Sequence, residues 1–84
     1  MDNMDSVIKI KEYGSIHLKI KELMLERNIS RNALAHLVDT RFEVVDRWYE
    51  NDVQRLDLDL LARICFVLKC NVADILEYRE DKLQ

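Results

Sequence analysis

Eighty-four residues, about half of them hydrophobic, allow one domain with a modest core, stabilised on its own or through a partner subunit. A formal charge of −3, no proline and a single glycine argue against long linkers or a disordered middle, and no apolar run approaches the ~18 residues of a membrane span. The opening MDNMDSVIKI is acidic where a signal peptide is basic, so the chain is expected in the cytoplasm with no membrane partner.

Residues 7–18 alternate in two pieces, Ile8 and Ile10, then Ile16 and Leu18, around Tyr13-Gly14-Ser15. A period of two implies a strand or hairpin, and the alternative is a frayed N-terminal arm leading into the first helix. A strand needs an edge to pair with. Either Ile75-Leu76-Glu77-Tyr78 or the same strand of a second subunit would serve.

Helix one is expected from Leu18 or Lys19 to Arg27, with Ile20, Leu23 and Met24 inward, and Asn28 is suited to a left-handed stop. Ser30 then caps helix two, residues 31–38, in which Leu34, Leu37 and Val38 recur at helical spacing. After Asp39-Thr40-Arg41 the same spacing returns in Val44, Val45 and Trp48, giving helix three over residues 41–50. Thr40-x-x-Glu43 has the form of a capping box for it. Two apolar stripes across so short a break predict a helix-turn-helix.

A loop over residues 53–56 follows, and Asp57 or Asp59 opens helix four. There Leu60, Leu61, Ile64, Phe66, Val67 and Leu68 give an almost all-round apolar surface, which belongs at the centre of a bundle. Asn71-x-x-Asp74 resembles another cap and opens a short helix five through Leu76. From Tyr78 the chain is charged and expected to be loose. The organisation is therefore an arm or strand segment over 1–17, a helix-turn-helix domain over 18–78 and a charged tail over 79–84.

Cys65 and Cys70 stand five apart, about 140° around a helix, so they cannot bridge within it, and Cys65 reads as a buried small hydrophobe. His17 and His36 are isolated. No metal site and no cofactor is expected, and paired carboxylates without a pocket or supporting partners do not make an enzyme.

At 100° per residue, Val44, Val45 and Trp48 occupy one arc of helix three, while Phe42, Glu43, Asp46 and Glu50 share the opposite one. From Asp39 to Asp52 five acidic residues face two arginines, a net of −3 that equals the charge of the whole chain. Such a face is read as a solvated helix surface supported by Glu43/Arg47 at i,i+4, as a reader of base edges, or as a docking surface for a basic protein. Trp48 reads as core, and Tyr49 as a rim residue. Arg47, at the edge of both arcs, is open to Glu43, Glu50 or a phosphate.

Leu34-Ala35, the two-helix spacing, Val45-x-Arg47-Trp48-Tyr49, Arg55-Leu56-Asp57-Leu58-Asp59 and Asp74-Ile75-Leu76-Glu77-Tyr78 together resemble the Cro/cI-type (XRE, lambda-repressor-like) helix-turn-helix family. The resemblance covers residues 18–78 without a gap. It implies an all-α, compact five-helix domain that binds double-stranded DNA as a transcriptional regulator, with helix three in the major groove. A homodimer is expected because one module offers too few contacts for useful specificity, with the N-terminal alternating segment or the C-terminal end as its interface. Carried over by position, the base-facing residues are Phe42, Glu43, Asp46 and Arg47, with Glu50 beside them, and the phosphate-contacting residues are Arg31, Asn32, Arg41 and Arg55. The family commonly has glycine where this chain has Asp39, serine at Arg41, and asparagine-glycine at Glu50-Asn51. Asp39 and Asn51 are expected to take the left-handed turns in glycine's place. The alternative function is a helix-turn-helix used as a protein-interaction module, an antirepressor or accessory factor whose acidic face docks a basic protein partner.

Overall fold

The ends of the domain are tied together by a two-stranded sheet, and five helices fill the space between. In the computed structural model, which describes residues 13–80, the order is β1 (Ser15–Leu18), α1 (Ile20–Glu26), α2 (Arg31–Leu37), α3 (Phe42–Tyr49), α4 (Leu58–Leu68), α5 (Val72–Ile75) and β2 (Leu76–Arg79). β1 and β2 are antiparallel, with Ile16 opposite Tyr78 and Leu18 opposite Leu76. The alternation in residues 15–18 is thus a strand, and its partner is the C-terminal segment of the same chain. The earlier piece, Ile8 and Ile10, lies outside the described residues. Tyr78 and Arg79, expected in a loose tail, instead finish β2, where they stand opposite Ile16 and Ser15 of β1.

The chain enters the sheet at Gly14, whose N–H donates to the Tyr78 hydroxyl at 3.0 Å. A Cβ at this position would collide with the backbone carbonyl of Arg79, so only glycine permits the approach. Gly14→Ala is expected to prise open this end of the sheet and cost about 1–3 kcal/mol, as overpacking does. The urea midpoint and hydrogen exchange at β1 read the effect, and an unchanged midpoint would mean that the two strands do not meet here.

Four helix ends reverse through left-handed residues: Asn28 (φ 55°), Asp39 (φ 58°), Asn51 (φ 60°) and Lys69 (φ 54°). After each one, the next N–H donates to the carbonyl five residues back: Ile29 to Met24 at 3.0 Å, Thr40 to Ala35 at 2.9 Å, Asp52 to Arg47 at 2.8 Å, and Cys70 to Cys65 at 3.1 Å. This closing bond satisfies a carbonyl that the helix leaves without a partner. Asparagine and aspartate tolerate the conformation, and three of the four positions use them.

The motif corrects two expectations. Thr40 is committed to ending α2, so the proposed Thr40–Glu43 box does not form. α3 starts one residue later, with Arg41 extended as its N-cap and no side-chain cap bond. The 140° separation of Cys65 and Cys70 assumes one continuous helix, but α4 ends at Leu68 and the left-handed Lys69 turns Cys70 back towards Cys65. Both thiols are half-buried, Cys65 included.

Ser30 caps α2 as expected, its hydroxyl accepting from the Ala33 N–H at 3.1 Å, and Asp57 caps α4 through the N–H groups of Asp59 and Leu60. The Asn71/Asp74 box is complete, although α5 stops at Ile75 because Leu76 is already extended. α4 buries Leu60, Leu61, Ile64 and Leu68 against Ile20, Met24, Leu34, Val45, Trp48 and Ile75. Its apolar surface is one-sided. Phe66, two residues and about 200° from Ile64, is 76% exposed. Leu37 likewise faces outward, since Leu34, Ala35 and Val38 fill the inner side of α2.

Candidate nucleic-acid interface

Burial of Val45 and Trp48, with Val44 half-buried beside them, fixes which way α3 faces. What remains outside is the opposite arc, with Phe42, Glu43, Arg47 and Glu50 exposed and Asp46 half-exposed. The far end of α3 is held by Asn51, whose side-chain oxygen accepts from the Leu18 N–H at 2.9 Å and whose amide meets His17 Nδ1 at 3.2 Å. α3 is thereby anchored to the sheet as well as to α2. The left-handed backbone at Asn51 was legible from residue type, but its grip on β1, 33 residues away, was not.

The first residue of α2, Arg31, reaches across the motif. Its guanidinium donates to Asp46 at 2.6 Å, stands 3.9 Å from Glu50, and lies over the rings of Tyr49 (4.7 Å) and Phe42 (5.6 Å). A residue assigned to phosphate and two assigned to the outer face of α3 are thus engaged with each other. The ion pair is half-exposed, which limits such a contact to about 0.2–1 kcal/mol. Incoming phosphate oxygens can compete for a guanidinium held this weakly.

The other assigned residues fall elsewhere. Arg47 and Arg55 line a groove of about 620 Å³ on the opposite flank of α3, together with Thr40, Trp48, Asp52 and Arg63. Arg41, at the turn, and Asn32, in the first turn of α2, are both exposed. Among the described residues neither Arg41, Arg47 nor Arg55 makes an ion pair, so the expected Glu43/Arg47 pairing along α3 is not formed. Arg63, unassigned from the sequence, donates to the Val38 carbonyl at 2.9 Å and to Asp59 at 2.5 Å, bridging α4 to the end of α2. Its i,i+4 spacing to Asp59 was a signal for half of that role. Among the described residues no three His, Cys, Asp or Glu side chains gather where a metal could bind, and no helix is long and apolar enough to cross a membrane.

A bundle in which a capped helix, a left-handed turn and a second helix present a polar outer face is the geometry of a helix-turn-helix. The family model of the Cro/C1-type HTH DNA-binding domain matches residues 19–81. The chain belongs to this family. Among solved structures, a protein from Bacteroides fragilis described as DNA-binding superposes with a TM-score of 0.67 at 21% identity, covering 75% of this chain and all of that one. The transcriptional regulator VanUg superposes equally well, with a TM-score of 0.67 at 18% identity, covering 96% of this chain and all of that one. At such identities the likeness establishes the Cro/C1-type fold alone. No curated protein matches the sequence.

Proposed function

We propose that this Cro/C1-type domain is a cytoplasmic, sequence-specific regulator of transcription that binds double-stranded DNA through α2 and α3 as a homodimer. The observation that carries the reading is the family match spanning an α3 whose inner face is buried in the core and whose outer face is exposed. In this reading Phe42 meets a thymine methyl, Glu43 and Asp46 accept from cytosine amino groups, and Arg47 reaches a guanine or the adjoining backbone. Arg41, Asn32 and Arg55 position the motif on phosphates, and Arg31 joins them after exchanging Asp46 for a phosphate oxygen. A single module offers few contacts, and two copies on a repeated half-site supply the missing specificity.

Arg41→Ala is the variant of choice, because the side chain is exposed and supplies no cap bond, so its loss leaves the fold intact. It is expected to weaken binding to all duplexes alike and to reduce the salt slope by about one phosphate contact. Anisotropy titrations across a salt series measure both, and an unchanged slope would remove Arg41 from the interface.

The acidic face supports a second reading, a docking surface for a basic protein. Asp46 and Glu50 already hold a guanidinium, and Glu43 stands exposed beside them. Neutralising these carboxylates would abolish such docking and strengthen DNA binding, so one variant separates the two functions.

A further inference from the structure

The reversal at the end of α4 brings together the only two cysteines of the chain. In this type of helix ending, the residue that donates the closing N–H and the residue whose carbonyl accepts it have side chains that pack together. Here those residues are Cys70 and Cys65, joined by a 3.1 Å backbone hydrogen bond. Backbone bonds of ~1.5 Å on either side of that hydrogen bond keep the two Cα atoms within roughly 7 Å, the reach of a disulfide. Both sulfurs are half-buried and line one open cavity of about 400 Å³ with Phe66, Lys69, Asn71 and Asp74.

We infer that Cys65 and Cys70 are a redox-convertible dithiol, closing into an intrachain disulfide by exchange with a low-molecular-mass disulfide. Burial, and next the Cys65 thiol alongside, push the Cys70 thiol up to about 11. The exchange opens at Cys65, which gives up its proton to solvent as it attacks. Its sulfur bonds to one sulfur of the small disulfide and the other leaves as a thiolate. Cys70 then gives up its proton to solvent, and its sulfur attacks Cys65 Sγ, releasing the second small thiolate. Two protein thiols are oxidised to one disulfide, and one small disulfide is reduced to two thiols. In a reducing compartment the pair rests as thiols and closes only when the poise turns oxidising. The bond would lock the α4-to-α5 reversal, at which Lys69, neither asparagine nor glycine, holds a left-handed conformation.

The full chain is equilibrated in a series of reduced and oxidised glutathione, quenched with acid, labelled with a maleimide and weighed intact. The expected result is one transition from chains carrying two labels to chains carrying none and lighter by two hydrogens, all monomeric on a non-reducing gel. Cys65→Ser and Cys70→Ser, with helical content checked by circular dichroism, are expected to stop at the glutathione adduct. Three outcomes for the wild type would overturn the inference: two labels retained throughout, singly labelled adducts dominating, or disulfide-linked dimers forming. Each would reduce the pair to an ordinary packing contact at a helix end.

Discussion

Replacing Glu43, Asp46 and Glu50 together with glutamine is expected to tighten binding to random-sequence duplex about tenfold or more at low ionic strength. Three removed carboxylates change the formal charge from −3 to −3 + 3 = 0, and all three changes fall on the face assigned to DNA. The substitution also releases Arg31 from Asp46 and Glu50, so it meets phosphate without first giving up an ion pair. Stability should fall by no more than about 1 kcal/mol, since the pair that is lost is half-exposed. Selectivity should fall as non-specific affinity rises, because carboxylates that accept from cytosine penalise every other base. Anisotropy on random and selected duplexes measures both quantities. Unchanged affinity for random duplex would mean that α3 never approaches the phosphates.

Ile64→Ala is expected to destabilise the domain by about 2–5 kcal/mol, the range for removing a large aliphatic side chain from a rigid core. Ile64 is fully buried at the middle of α4 and belongs to the core cluster that also holds Ile20, Met24, Leu34, Val45 and Ile75. A small domain has roughly 5–15 kcal/mol in all, so this one change removes a large fraction of it. Phe66→Ala on the same helix is the control, since that ring is 76% exposed and its loss should cost less than about 1 kcal/mol. Urea denaturation of the two variants compares them directly. Equal losses would contradict the one-sided burial of α4.

The contrast between Ile64 and Phe66 also marks how far the sequence could be read. Spacing and caps together located all five helices, because Leu34 with Val38 and Val45 with Trp48 repeat at one-turn intervals and the caps at Ser30, Asp57 and Asn71 announce the starts. Left-handed stops were legible where the residue was Asn28, Asp39 or Asn51. Lys69 carried no such signal, and with it went the meeting of Cys65 and Cys70. Phe66 misled because hydrophobicity marks a residue that can be buried, and the direction of its helix decides whether it is. The strand at Ser15–Leu18 was visible as alternation, but its partner, about 60 residues away, could only be offered as one of two choices. Within the site, the outward arc of α3 followed from 100° per residue. The clasp of Arg31 on Asp46 did not, because contacts 15 residues apart on two helices leave no periodic trace.

Recognition of DNA through α3 is tested most directly by competition anisotropy. The wild-type chain, bound to a duplex drawn from a selected-site pool, is challenged with random-sequence duplex at near-physiological salt. Specific recognition predicts that random duplex competes at least about a thousandfold less well than the selected site, and that Arg41→Ala weakens both complexes together. Equal competition by the two duplexes, or no binding by the wild type even at low salt with binding restored in the triple glutamine variant, would contradict it. The acidic face of α3 would then belong to a protein partner.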